Sequence, residues 1–449
     1  MKTYLSSELT EGNLFSAMMH FSVPYLIACF LQTFYGMADL LIIGRFNGAA
    51  SVTAVAAGSQ VMHMLTVMIA GLAMGTTVMI SRNIGAGDRR GAGHCIGTSG
   101  VFFLVSALLL MAAALASRDG ILKLLATPEE ALAEAEQYLF LCFLGIPCIT
   151  AYNVFSSIFR GLGDTKRPML FAAAAGILNI GLDILLIGPF GMGAAGAAAA
   201  TVFSQFFSVI LAAASLRKFL AGMDLTRRDL HFERTRAKQI FSVGGPIALQ
   251  EGLIQISFLI ITAIADSRGV TIAAAVGIVE KIISFLFLVH SAMLSTVSAA
   301  AAQNEGAGKP ERSVRALFLG IRICAVYGCI AFAVCLSAAP QIVGLFSSGE
   351  PEVVRLGAQY LRTYALDCIF AGVHFCFSGY FSACGKSLYT FLHNMISVCV
   401  VRVPGAYLAS VLFPGTLYEM GLAAPMGSLL SILICMVLFR RLHAEGARS

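Results

Sequence analysis

Long apolar runs recur along the whole chain, and short polar or glycine-rich connections separate them. A helix needs about 20 apolar residues to cross the hydrocarbon core of a bilayer, and the runs have that length. The pattern predicts twelve membrane-spanning helices. Their expected bounds are 14–43, 52–80, 94–116, 137–159, 168–188, 193–215, 239–265, 272–300, 317–339, 358–382, 388–412 and 421–439.

The composition supports the same interpretation. Hydrophobic residues make up 58% of the chain and charged residues 12%, with a mean hydropathy of +0.83, whereas a soluble domain carries about 25% charged residues. Runs of this length also argue against an outer-membrane barrel, whose strands alternate over about 10 residues. We therefore expect an all-α integral membrane protein.

The charged residues of the connections predict the orientation. Most lysines and arginines lie in the two termini and the even-numbered connections, whereas the segment 117–136 is acidic. Positive charge is retained on the cytoplasmic side, so both termini of this multi-pass protein are expected there, in the cell's inner membrane. The net charge of +6 arises from these connections. The basic residues are not interleaved with aromatic residues in the way that is typical of nucleic-acid binding.

The two halves of the sequence repeat each other. Pro24 and Pro246 lie 222 positions apart, as do Gly163 and Gly385. Each half has six predicted helices and therefore enters the membrane in the same direction. We expect two pseudo-symmetric six-helix lobes, residues 1–215 and 239–449, joined by a basic cytoplasmic linker, residues 216–238. The substrate is expected near the bilayer midplane at the repeat interface.

One carboxylate, Asp39, lies inside the first apolar run. A bare carboxylate at membrane depth costs roughly 2.5–3.5 kcal/mol on insertion scales, so such a residue usually has a function. A second acid, Asp183, shares a helix face with Asn179, four residues earlier, and Thr201 follows a run of small residues in the next helix. These oxygen donors suit Na⁺ or a shared proton. The alternative is that both acids cap helix ends near the interface.

Six short motifs occur at the ends or inside the predicted helices. They are Asp39–Arg45, Asn83–Gly87, Asn304–Gly308, Arg160–Lys166, Asn179–Asp183 and Arg402–Pro404. In their order and spacing, and together with the duplicated six-helix half, they resemble the multidrug and toxic compound extrusion (MATE) family, and the resemblance covers nearly the whole chain.

This resemblance implies a cation site formed by Asp39, Asn179, Asp183 and Thr201, with Na⁺ as a possible ligand. It implies an antiporter, not an enzyme, that exports organic cations or drugs in exchange for H⁺ or Na⁺ by alternating access. No cofactor is expected beyond the coupling ion, and the protein is expected to be a monomer in the lipid bilayer.

Other residues of the first half have supporting roles in this hypothesis. Pro24 lacks the amide for a helix hydrogen bond and makes a bend in the first helix easier, so it is the expected hinge. Gln32 and Tyr35 precede Asp39 by one to two turns and are candidates for substrate contact. Asn153, in the fourth predicted helix, is a weaker candidate for the same cavity.

The second half carries a different polar set. Its members within the apolar runs are Glu251, Glu280, Lys281, Asp367 and Arg402. They are expected to form a secondary polar site. A purely structural ion pair, in which Lys281 or Arg402 neutralises the acids, is the alternative.

Two other function classes remain. A lipid-linked oligosaccharide flippase of a related superfamily commonly has more than twelve helices and a strongly basic cavity, whereas the buried charges here are mainly acidic. A membrane enzyme or receptor is the third class, but the apolar runs contain no nucleophile–base pair or metal motif. Cationic cargo is therefore favoured.

Overall fold

The structure is a computed structural model and describes residues 9–125, 127–222, 229–347 and 350–446. Every regular element of these residues is helical, as expected. In the first half the helices are α1 (Leu14–Phe46), α2 (Ala49–Gly85), α3 (Arg89–Leu124), α4 (Glu129–Leu144), α5 (Ile146–Gly161), α6 (Lys166–Ile187) and α7 (Gly193–Gly222).

The second half repeats this order. Its helices are α8 (Arg234–Asp266), α9 (Val270–Gly306), α10 (Pro310–Gly344), α11 (Pro351–Tyr364), α12 (Asp367–Ala383), α13 (Ser387–Ser397), α14 (Val403–Leu412) and α15 (Tyr418–Gly446). A single π-helical turn, Val398–Arg402, joins α13 to α14.

Ten helical stretches of the described chain are long and apolar enough to cross a membrane, and two bent helix pairs raise the number to twelve. The pairs are α4–α5, bent by 47°, and α11–α12, bent by 43°. They coincide with the fourth and tenth predicted helices, which were expected to be continuous. The all-helical membrane fold is therefore confirmed, with two of its spans broken.

Short-range backbone hydrogen bonds are found at each of the two breaks. Pro147 lies in the first turn of α5 and has no amide to donate, and Cys148 N instead bonds Gly145 O at 2.9 Å. At the second break, Cys368 N bonds Ala365 O at 3.0 Å. These short-range bonds close one tight turn and start the next helix in a new direction. Asp367 is consequently the first residue of α12.

The eleventh predicted helix, 388–412, is also interrupted. Pro404 has no amide for the carbonyl of Val400, and the hydrogen bonding of the preceding turn shifts to the i→i−5 pattern, in which Val403 N donates to Val398 O. Such π-turns are frequent at functional sites. Arg402 is the last residue of this turn.

The chain divides into two compact units, Met1–Ala248 and Leu249–Ser449. The division falls inside α8. Of the predicted linker, residues 216–222 belong to α7 and residues 234–238 to α8, while residues 223–228 lie outside the described part. Each unit has its own apolar core, with Ile80, Tyr152 and Phe159 in the first, and Ile283, Tyr360 and Leu361 in the second.

The glycine motifs between helices form equivalent turns in the two halves. Gly87 and Gly308 have φ of +73° and +69°, and Gly163 and Gly385 have +86° and +73°. Only glycine adopts this region without steric cost, so the motifs that repeat most clearly in the sequence end helices.

Candidate functional site

Asp39 projects from α1 into the first unit. Several large apolar side chains of α1, including Phe30, Phe34 and Leu41, are exposed on its outer face, whereas Asp39 is only 6% exposed. The Thr201 hydroxyl, on α7, donates a long hydrogen bond of 3.4 Å to Asp39 Oδ2. The first acid therefore faces the interior, and the hypothesis that it caps a helix end at the interface does not describe its position.

Asn179 and Asp183 reach the same place from α6, which packs along α1. Both side chains are fully buried, and both interact with Asp39. The structure thus brings together all four residues of the predicted cation site.

The hydrogen bonding of these residues is incomplete. Asp39 Oδ1, both carboxylate oxygens of Asp183 and both polar atoms of Asn179 are buried and accept or donate no hydrogen bond within the described residues. Buried polar atoms normally have partners, since an unpaired one costs about 1–3 kcal/mol. No lysine or arginine is among the groups that interact with Asp39 or Asp183. The set therefore offers a cation several oxygen ligands, or a proton a shared position between two carboxylates.

Two amide–phenol pairs lie along the helices that carry the acids. Gln205 on α7 donates from Nε2 to the Tyr35 hydroxyl at 3.1 Å, and Gln32 Nε2 donates to the Tyr152 hydroxyl at 3.1 Å. Gly176 on α6 allows this approach, because a Cβ there would lie 3.3 Å from the Tyr35 ring. Both predicted substrate contacts are therefore held by partners from other helices.

Pro24 lies in the interior of α1, and the helix runs on continuously to Phe46. The Thr165 hydroxyl donates to the Phe21 carbonyl, close to Pro24, at 2.8 Å. The carbonyl that Pro24 leaves without its helix donor is that of His20, four residues earlier, so the Thr165 bond lies one residue after the freed carbonyl. Asn153 donates its amide to Ile149 O of its own helix at 2.9 Å, and no hydrogen bond within the described residues joins it to the four acid-site residues.

The sequence reasoning missed Gln205 and Tyr152. Gln205 is 8% exposed and its Oε1 has no hydrogen-bond partner in the described chain. It lies four residues after Thr201, so it occupies the same face of α7. That spacing was the available signal for Gln205, whereas Tyr152 had none beyond its position in an apolar run.

In the second unit, Arg402 is the centre of the polar cluster. Its guanidinium donates to the Tyr364 hydroxyl at 2.5 Å and lies 4.6 Å from the centre of the Phe258 ring. Glu280 and Asp367 interact with it electrostatically. Glu280 also accepts a hydrogen bond of 3.2 Å from Thr262.

The remaining two predicted members lie apart. Lys281 is exposed. Glu251 is half-buried and makes no side-chain hydrogen bond within the described residues. The structure therefore assembles Glu280, Asp367 and Arg402 and leaves Glu251 and Lys281 outside that cluster.

Two histidines extend the polar cluster, and the sequence reasoning gave them no functional role. His374 bonds Ser428 at 3.3 Å, and His393 bonds Ser378 at 3.0 Å. The two rings lie 5.7 Å apart, and Ser428 is also a partner of Asp367. The histidines come from α12 and α13, which are separated by a turn, so sequence spacing did not reveal the pair.

Comparison with known proteins gives independent information on the family of this chain. The profile of the MatE family matches residues 24–185 and again residues 246–408. The chain is 31% identical over 411 residues to the probable multidrug resistance protein YpnP of Bacillus subtilis, covering 91% of each chain. It is 24% identical to the multidrug export protein MepA of Staphylococcus aureus, covering 97% of this chain and 96% of that one.

A solved structure has the same fold. It is an outward-facing conformation of a multidrug resistance MATE family transporter of the MOP superfamily, and it superposes with a TM-score of 0.91 at 24% identity over the full length of both chains. The two-lobe, twelve-span arrangement expected from the sequence agrees with this fold. The two separate profile matches agree with the internal repeat.

Proposed function

The chain belongs to the MatE family of multi-pass membrane transporters, which are not enzymes, and from this premise we propose that it is a secondary active antiporter. Its cargo is organic cations or drugs, and its coupling ion is H⁺ or Na⁺. The names of the relatives, a multidrug resistance protein and a multidrug export protein, support this cargo class.

The observation that carries the proposal is the uncompensated acid pair of the first unit. Asp39 interacts with Asp183, Asn179 and Thr201, and no basic side chain of the described residues is among the groups that interact with either acid. Two carboxylates that share a buried site repel each other. A proton, Na⁺ or a cationic substrate relieves that repulsion, and the three then compete for one site.

Competition for a single negative site is sufficient for exchange. An ion that enters down its gradient displaces the cargo, and each elementary charge that moves inward gains about 2.3 kcal/mol per 100 mV. In this proposal, ion binding at Asp39 changes the bending of α1 at Pro24 and with it the shape of the cavity in the first lobe, where Gln32 and Tyr35 are the proposed substrate contacts. The protein acts by alternating access as a monomer of the inner membrane, with both termini cytoplasmic.

The test is transport in liposomes that contain the purified protein. A fluorescent organic cation reports transport while a pH gradient and a Na⁺ gradient are applied separately. We expect one of the two gradients to drive transport, which identifies the coupling ion. We expect Asp39→Asn and Asp183→Asn to reduce the driven rate to that of protein-free liposomes.

Asp119→Asn is the matched control. Asp119 is an exposed acid whose ion pair within the described residues is with the neighbouring Arg118, so this variant should transport like the unmodified protein. The proposal is wrong if neither gradient drives transport, or if Asp39→Asn keeps the full gradient-driven rate.

A further inference from the structure

Three side chains meet where the segment that leads into α8, residues 230–233, lies against α3. His94 Nδ1 lies 2.8 Å from Glu233 Oε1, and His231 Nε2 lies 3.2 Å from the same oxygen. The two imidazole rings are 4.3 Å apart. None of these residues belongs to the acid site around Asp39, and the transport proposal does not use them.

The backbone holds this arrangement in place. A Cβ on Gly97 would lie 2.4 Å from the carbonyl carbon of Leu230, so glycine permits segment 230–233 to lie directly on α3. The Thr98 hydroxyl accepts a hydrogen bond from Glu233 N at 3.1 Å and donates one to His231 O at 3.4 Å. Both histidines and the glutamate are thereby fixed relative to one helix.

A further partner orients the carboxylate. Arg236 Nε donates to Glu233 Oε2 at 2.9 Å, which leaves Oε1 directed at the two histidines. Ligating carboxylates and imidazoles are typically oriented by such outer partners. The side chains of His94, His231 and Glu233 are 24%, 52% and 31% exposed, so a solvated ion reaches them.

We propose that His94, His231 and Glu233 form a binding site for a divalent transition-metal ion of the Zn²⁺ type. The three ligand atoms all lie within 4.8 Å of one another. Bonds of about 2.0–2.2 Å to zinc place tetrahedral ligands slightly more than 3 Å apart, close to the observed spacing. Two imidazoles and a carboxylate favour Zn²⁺ over Mg²⁺ or Ca²⁺. Water completes the coordination.

A metal at this site would fasten the start of α8 to α3. His94 belongs to α3, whereas His231 and Glu233 belong to the segment that leads into α8 and that the sequence predicts to be part of the linker between the repeats. Because the ion binds only when the two segments lie together, it stabilises that arrangement through mass action.

The test is metal binding by the full-length protein in detergent, without a histidine tag and after chelator treatment. Zn²⁺ alone is titrated in competition with a chromophoric chelator, and the thermal midpoint is measured with and without Zn²⁺. We expect one Zn²⁺ per chain and a higher midpoint with the metal. We expect His94→Gln and His231→Gln to weaken binding at least about tenfold each, and the double variant to abolish it.

The matched control is the double variant His20→Gln, His443→Gln. Both histidines are exposed and bond only atoms within one turn of their own helices, so Zn²⁺ binding should persist. Chemical footprinting of the unmodified protein with diethyl pyrocarbonate covers the case in which a variant fails to fold. Zn²⁺ should protect His94 and His231 and leave His20 and His443 reactive. Equal binding by both double variants, no stoichiometric binding, or equal protection of all four histidines would overturn the site.

Discussion

The two repeats share a backbone plan but carry different charges. Asp39 in α1 corresponds to Ile261 in α8, and Asp183 in α6 corresponds to Gly405 in α14, each 222 positions later. In the opposite direction, Asp367 corresponds to Gly145. Each half thus has acids where the other has apolar residues or glycine, so the repeat sets the positions of helices and leaves the chemistry of each half free.

Packing shows why the acids of the second half have no counterparts in the first. Glu280 corresponds to Gly58, where a Cβ would lie 2.2 Å from the Tyr138 ring. At Gly145 a Cβ would lie 2.5 Å from Val202. Neither position has room for a carboxylate, because a neighbouring side chain fills the space.

The charge balance of the two halves also differs. Among the described residues, Asp39 and Asp183 of the first half have no cationic partner, whereas Glu280 and Asp367 of the second half interact with Arg402. An acid pair without a cation leaves its repulsion for a ligand to relieve. Two acids near an arginine have part of their charge balanced by the protein itself, which suits a structural or secondary role.

The largest expected effect contrasts the two halves directly. Arg402→Gln should destabilise the protein by about 2–3 kcal/mol, because it removes the charged hydrogen bond to Tyr364 and the contact with the Phe258 ring and takes a positive charge away from Glu280 and Asp367. Asp39→Asn should leave stability unchanged or raise it, since it removes repulsion. The sequence has no tryptophan, so unfolding is followed with a thiol-reactive dye that detects buried cysteines such as Cys142 and Cys376.

Arg402→Lys is the control for this contrast, because it keeps the positive charge and should recover part of the stability. If Asp39→Asn and Arg402→Gln lower the thermal midpoint equally, the two halves do not differ in how the charge of their acids is balanced.

A smaller and equal effect is expected at the equivalent turns. Gly87→Ala and Gly308→Ala should each destabilise the protein by about 1–2 kcal/mol, since both residues have positive φ and no atom lies within 4 Å of a Cβ built there. The same dye assay measures the change.

Gly100→Ala and Gly277→Ala serve as controls for the turns. These glycines are helical and have similarly open surroundings, so alanine should be neutral or slightly stabilising. A large difference between Gly87→Ala and Gly308→Ala would show that the two turns are not energetically equivalent.

The smallest expected effect concerns Thr201, whose counterpart in the second half is Ala423. Thr201→Val removes a single long hydrogen bond to Asp39 and should weaken binding of the coupling ion by about 0.5–1.5 kcal/mol. Thr201→Ser should restore it. The measurement is the ion concentration that gives half-maximal transport in liposomes. Equal values for Thr201→Val and Thr201→Ser would show that the Thr201 hydroxyl does not contribute to the ion site.

Much of the fold was predictable from the sequence. Apolar runs of membrane length fixed the number of spans, and landmarks such as Pro24 and Pro246 identified the repeat. The acid site was also predictable, because an acid in an apolar run is costly and the motifs around Asp39 and Asp183 resemble those of one family. The spacing of Asn179 and Asp183 then placed both on one helix face.

Other features were decided only by tertiary structure. The bends before α5 and α12 and the π-turn at Arg402 depend on how backbone hydrogen bonds close within the packed helices, which a hydrophobic pattern does not encode. The same limit applies to the partners of each polar group. His374 meets His393 through the packing of two helices, and His94 meets His231 where the segment before α8 lies against α3. The sequence by itself therefore determined which residues lie in the membrane and which of them cost free energy there. Packing decided which of these residues face one another.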